Sequence, residues 1–217
     1  MIMPIRTVLF DFDGTLADTL PLSFKAFKAI FLRYDNRSVS EEEIVAMFGP
    51  TEDDIIARNL RNTEARAQAV QDYYEIYENG HFEAQRQNKE ITDLLHAIKS
   101  RGMKIGVVTG KSRKAFEISS AALQLSVFWD VAITGDDVER PKPNPEGIWK
   151  ALELLQTSKE EAVFLGDSNA DIKAGKAAGL RTYGVQWLST YQSATFETPP
   201  DGIFTGVREF LELLEKP

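Results

Sequence analysis

The sequence predicts an α/β protein with a doubly wound parallel sheet, interrupted early by a small inserted helical domain. Three observations predict it. Short apolar or β-branched runs alternate with helical patterns along most of the 217 residues. The runs are continuously apolar, which marks strands covered on both faces rather than half-exposed ones. The stretch from about Thr19 to Gly80 breaks the alternation and reads as helix throughout.

The first run is Thr7-Val8-Leu9-Phe10, ending at Asp11. In the insertion, Leu20, Phe24, Phe27 and Phe31 fall on one helical stripe. Ser40 and Glu43 make a capping box before Ile44, Met47 and Phe48, Gly49-Pro50 breaks the chain, and Thr51 with Asp54 starts a further helix. Val70, Tyr73, Tyr74 and Tyr77 form another stripe, read as internal packing, that ends at Asn79-Gly80. Hinges are expected near Leu16–Thr19 and His81–Asn88. The alternation then resumes. Ile91, Leu94, Leu95 and Ile98 make a helix stopped at Gly102. Strands follow at Lys104–Val108, ending at Thr109, and at Val131–Ile133. Ile148, Ala151, Leu152 and Leu155 form a helix after Pro145, a good first-turn residue. Ala162–Leu165 is a strand ending at Gly166-Asp167, and the helix Ala170 to Ala178 stops at Gly179. Arg181–Val185 is the fifth strand, and Val207, Phe210, Leu211 and Leu214 make a terminal helix.

Composition narrows the function. Hydrophobic residues are 43% and charged residues 27%, enough to bury a core and exclude general disorder. A net charge of -8 repels phosphate backbones and anionic lipid, so neither nucleic acid nor membrane is an expected partner. Zero cysteines exclude disulfides and thiol catalysis. No run approaches the ~20 apolar residues of a membrane helix. With no leader pattern at Met1 to Arg6, the expectation is a cytoplasmic protein.

The acids sit where chemistry is expected. Asp11 ends the first strand and Asp13 follows two residues later; Asp167 ends the fourth and Asp171 follows four later. In a parallel sheet all these strand ends open onto one crevice. Four crowded carboxylates repel one another unless a hard, oxygen-seeking cation lies among them, most simply Mg²⁺. Thr109 ends the second strand before Gly110-Lys111-Ser112, offering a hydroxyl and N–H groups to a phosphate. Lys142 lies between prolines in Arg140-Pro141-Lys142-Pro143-Asn144-Pro145, a stiff loop that aims its ammonium. Together these groups suit phosphoryl transfer.

The ordered set Asp11-Phe12-Asp13-Gly14-Thr15-Leu16, Val107-Val108-Thr109-Gly110, Lys142-Pro143 and Gly166-Asp167-Ser168-Asn169-Ala170-Asp171 resembles the four motifs of the haloacid dehalogenase (HAD) superfamily. The nearest likeness is its phosphoglycolate phosphatase and β-phosphoglucomutase-like branch. The resemblance implies a Rossmann-like core over residues 1–16 and 85–217, with a C1-type helical cap over 17–84. It implies Asp11 as nucleophile, Asp13 as general acid and base, and Thr109 and Lys142 as further catalytic groups. Gly14, Thr109, Gly110 and Lys142 would hold the phosphate. Asp11, the Asp13 backbone carbonyl and Asp167 would hold Mg²⁺, with Asp171 acting through water or orienting Lys142. The expected partner is a small phosphorylated metabolite, and the protein a monomer or homodimer. Dehalogenases and phosphonatases of the superfamily lack Asp at the position of Asp13, so the resemblance implies an ester or anhydride substrate. Pyrophosphatase activity, a phosphosugar mutase and a non-catalytic binding module are alternatives. The mutase reading weakens because Ser23 stands where similar mutases carry His, and the binding module because no motif acid is missing. Gly49-Pro50-Thr51-Glu52 falls where family members place a specificity loop. Lys111 is read as a surface residue near the mouth, and His81 and His96 are given no role. Trp187 is left between the crevice and the core.

Overall fold

The computed structural model describes residues 4–84 and 88–215. Six strands are described: β1 (Thr7–Phe10), β2 (Lys104–Val108), β3 (Val131–Ile133), β4 (Ala162–Gly166), β5 (Arg181–Val185) and β6 (Gly202–Phe204). All pair in parallel, in the order β3-β2-β1-β4-β5-β6. The first five are the expected strands. The sixth, half-exposed at the sheet edge, is an addition to the sequence reading.

The helices are α1 (Leu20–Asp35), α2 (Glu41–Val45), α3 (Glu52–Asn59), α4 (Arg66–Ala84), α5 (Lys89–Ser100), α6 (Arg113–Ala122), α7 (Glu146–Leu155), α8 (Asn169–Ala178) and α9 (Val207–Leu214). Successive β1 side chains enter different layers, as the period of two requires. Val8 and Phe10 pack with Ile91, Leu94 and Leu95 of α5 and Phe210 of α9, while Leu9 packs with Ile148 of α7 and Ala174 of α8. Covered faces explain why these strands read as unbroken apolar runs.

The inserted helices α1–α4 have their own core around Phe27, Phe31, Ile44, Ile56, Tyr73 and Tyr77, with Ala115 of α6 joining it. Both local starts are present: the Ser40–Glu43 capping box opens α2, and Thr51 accepts from the Asp54 N–H at α3. The three tyrosines of α4 are buried as expected, and two also dock the insertion on α6. Tyr74 Oη bonds Ser112 Oγ at 2.8 Å, and Tyr77 Oη bonds Ser119 Oγ at 2.6 Å. His81 is buried as well, its Nε2 2.9 Å from the same Ser119 Oγ. His96 packs edge-on against Phe128. Part of the second hinge, 85–87, lies outside the described residues.

Candidate active site

The strand order reverses between β1 and β4, and ligands of open parallel sheets bind outside the strand ends at such a point. Asp11 lies just past β1, its N–H held by the Leu165 carbonyl at 2.8 Å, and Asp167 lies just past β4. Asp171, one turn into α8, joins them. Carboxylate oxygens of Asp11, Asp167 and Asp171 all lie within 4.8 Å of one another, and all three residues are buried.

Each acid is held in place. Asp167 accepts from Thr15 Oγ1 at 3.1 Å and from the Gln192 N–H at 2.7 Å. Asp171 closes a capping box with Ser168, accepting at one oxygen from the Ser168 N–H (3.0 Å) and hydroxyl (2.6 Å). Lys142 Nζ reaches across the sheet to Asp11 Oδ1 (2.5 Å), Asp171 Oδ1 (2.6 Å) and the Val108 carbonyl (3.1 Å). Thr109 follows β2, its N–H bonded to the Ile133 carbonyl at 2.9 Å, and Thr109 and Gly110 line the same cavity as Asp11 and Lys142. Gly14 has φ +80°, and a Cβ there would sit 2.3 Å from Asp167 Oδ2. What the structure shows of Gly14 is therefore steric: glycine lets the turn press against the Asp167 carboxylate.

The electrostatics call for more positive charge than the chain supplies. Burial, with Asp171 adding repulsion and Lys142 opposing it, raises Asp11 from 3.8 to about 7. Burial and the charges of Asp11 and Asp171 push Asp167 well above the usual carboxylate range. Burial alone would lower Lys142, but Asp11 and Asp171 more than offset it and hold the ammonium protonated. Three buried acids against one lysine, with only oxygen donors, fit a hard divalent cation.

Asp13 stands apart from the other acids. Its carboxylate accepts from the Thr19 hydroxyl and lies 3.2 Å from Lys111 Nζ. Thr19 therefore serves Asp13 rather than capping α1. Lys111 corrects the sequence reading: its side chain is 2% exposed, paired to Asp13 and, at 3.3 Å, to Glu52 of α3, and it lies over the Tyr77 ring. Burial by itself would lower Lys111, yet Asp13 and its other neighbours raise it well above the usual range. Trp187 backs the first motif, donating to the Thr15 carbonyl at 2.7 Å. Thr19 and Gln192 are contacts absent from the sequence reading, which names Thr15 only within the first motif and Glu52 only within the specificity-loop segment, neither with these partners. For Thr15 and Thr19, a hydroxyl four and eight residues after Asp11 was the available signal.

A parallel sheet whose switch point gathers acids and a lysine, with inserted helices lining the cavity beside them, defines an α/β protein with a candidate active site. Comparison makes the class specific. The sequence profile of haloacid dehalogenase-like hydrolases matches residues 8–185. Pyrophosphatase PpaX of Bacillus mycoides is 31% identical over 214 residues, covering 99% of each chain. The crystal structure of CbbY from Rhodobacter sphaeroides in complex with phosphate superposes with TM-score 0.82 at 27% identity, covering 95% of this chain and 96% of that one. A predicted phosphoglycolate phosphatase from Haemophilus somnus shares the fold, with TM-score 0.82 at 21% identity over 99% and 100% of the two chains. The chain belongs to the haloacid dehalogenase-like hydrolases, and it is a phosphohydrolase of that family.

Proposed function

We propose that the chain is a Mg²⁺-dependent phosphatase that releases phosphate from a small phosphorylated metabolite through an aspartyl-phosphate on Asp11. One observation carries this reading: Asp11, Asp167, Asp171 and Lys142, far apart in sequence, converge at the sheet's switch point. In this reading residues 1–16 and 85–217 are the core and 17–84 the cap. The site faces soluble substrates and the enzyme works in the cytoplasm, as a monomer or homodimer.

An Asp11 oxygen attacks phosphorus as the bond from phosphorus to the leaving oxygen breaks. Asp13, two residues on, gives that oxygen a proton. It then takes a proton from water, whose oxygen attacks the phosphorus and frees the Asp11 carboxylate with inorganic phosphate. Thr109, the Gly110 N–H and Lys142 hold phosphoryl oxygens where negative charge collects, and Gly14, whose turn packs against Asp167, is assigned to the same phosphate. The cation would be held by Asp11, Asp167 and the Asp13 backbone carbonyl, with Asp171 acting through water or by orienting Lys142. When bound, it neutralises charge on the transferring group. The inserted helices exclude water while the phosphoenzyme forms.

Pyrophosphate is the second reading, favoured by the pyrophosphatase relative. A mutase is disfavoured because Ser23, which lines the cavity, has no imidazole to shuttle protons. The deciding assay is phosphate release from an aryl phosphate with Mg²⁺, beside Asp11→Asn and EDTA-treated protein. The wild type releases phosphate and both controls do not; equal rates in all three overturn the proposal.

A further inference from the structure

We infer that Glu52 occupies the seat a negatively charged leaving group would need, so that this site selects phosphomonoesters whose leaving group is uncharged. The inference rests on the phosphatase reading above and narrows its substrate class.

The crevice opens into a cavity of about 430 Å³. At one end lie Asp11, Thr109 and Lys142, the groups assigned to the transferring phosphate. From the inserted helices and their connections come Leu20, Phe27, Val45, Phe48 and Ile55. Among the described residues, the cations lining this cavity are Lys142 and Lys111. Lys142 is already bridged between Asp11 and Asp171. Lys111, beside Asp13, is the cation placed to meet a leaving group, because Asp13 is the acid that would protonate it.

Lys111 is not available for that task. Its ammonium lies between Asp13 and Glu52, at 3.2 and 3.3 Å. The other Glu52 oxygen accepts the Ser112 N–H at 2.7 Å, the backbone donor at the start of α6. The N–H groups on either side are engaged too: Lys111 donates to Thr109 Oγ1 at 3.2 Å and Arg113 to Asp136 at 2.6 Å. One carboxylate of the insertion therefore uses both the cation and the helix-start donor that bind anions. Glu52 is 5% exposed, so its charge is little screened by water. A second carboxylate or phosphate arriving here meets Glu52 and Asp13 with no free cation between them, and like charges brought together at a buried site discriminate strongly. An alcohol with an uncharged, partly apolar body meets neither obstacle.

The test compares substrates that differ in one group. 2-Hydroxyethyl phosphate carries a neutral CH₂OH where phosphoglycolate carries a carboxylate, with similar alcohol leaving groups. With Mg²⁺ present, the wild type is expected to hydrolyse it at least about tenfold faster, as kcat/KM, than phosphoglycolate or pyrophosphate. Glu52→Gln removes the charge and leaves Lys111 with Asp13 as the remaining charged partner of the two, and the ratio is expected to move toward phosphoglycolate by at least about tenfold. A wild type that prefers phosphoglycolate or pyrophosphate overturns the inference, whether or not the variant folds. A folded Glu52→Gln with an unchanged ratio overturns Glu52 as its cause. Asp11→Asn run beside them separates the levels: if it hydrolyses the substrates as well as the wild type, the phosphatase mechanism itself fails, whatever the substrate ranking.

Discussion

Gly166 and Asp171 are pressed together so closely that a methyl group on the Gly166 α-carbon would lie 2.4 Å from the Asp171 Cβ. The end of β4 must be bare for the first turn of α8 to fold back over it and deliver Asp171 to Lys142. Gly166→Ala is therefore expected to displace Asp171, lowering kcat/KM by about tenfold or more and stability by about 1–3 kcal/mol. Steady-state kinetics and a thermal melt check both. Unchanged kinetics would show that Asp171 need not sit where it does.

Lys142→Ala removes the ammonium shared by Asp11, Asp171 and the Val108 carbonyl. Activity is expected to fall by about 10²–10³-fold, the usual effect of losing one fixed donor to the developing charge. The metal-free variant is also expected to lose about 3 kcal/mol of stability, because a buried charge partner is gone. Lys142→Arg is not expected to rescue activity, since a planar fork cannot replace a point charge reached by three converging oxygens. Parallel kinetics and denaturant melts test both parts.

Thr19→Val keeps the shape of the side chain and removes the hydroxyl donated to Asp13. Proton transfer through Asp13 is expected to suffer, with kcat down about tenfold and KM little changed, while stability falls by no more than about 1.5 kcal/mol. Substrates with poor leaving groups should show the larger drop. Equal losses for good and poor leaving groups would assign Thr19 to cap positioning instead.

His81 gives a stability dependence on pH. Burial, with Lys111 adding to it and Asp13 opposing, lowers its pKa from 6.5 to about 4. The folded state thus keeps the ring neutral in a range where the unfolded chain protonates it. Stability is whole above pH 6.5 and is lost as pH falls from there toward 4. At ~1.36 kcal/mol per pH unit the loss reaches at most about 3 kcal/mol. His81→Gln should flatten this limb in melts between pH 7 and about 4. An equally steep fall in the variant would assign the loss to other groups.

The core of this site was legible because its signals are local. Asp11, Asp13, Asp167 and Asp171 stand at the ends of apolar runs, where parallel strands deliver side chains to one edge, and Pro141 and Pro143 flag the Lys142 loop. The missed elements lack such signals. Strand β6 has three residues, Gly202–Phe204, and pairs only at the edge, so it carries no apolar run. Lys111 reads as a surface residue near the mouth because its partner Glu52 lies 59 residues away, on a helix whose docking no local pattern announces. Glu52 reads only as the last residue of the Gly49-Pro50-Thr51-Glu52 segment, and in the structure it opens α3. Gln192 contributes its backbone N–H to Asp167, a role that leaves no trace in side-chain identity.

The central claim is that one divalent cation is held by Asp11, Asp167 and the Asp13 backbone carbonyl, with Asp171 beside them acting through water or by orienting Lys142. Calorimetric titration of the metal-free protein with Mg²⁺ tests it most directly. The account predicts one Mg²⁺ bound per chain by the wild type and none measurable by Asp167→Asn, with the variant's circular dichroism unchanged. Binding of equal strength and stoichiometry in the folded variant would contradict it.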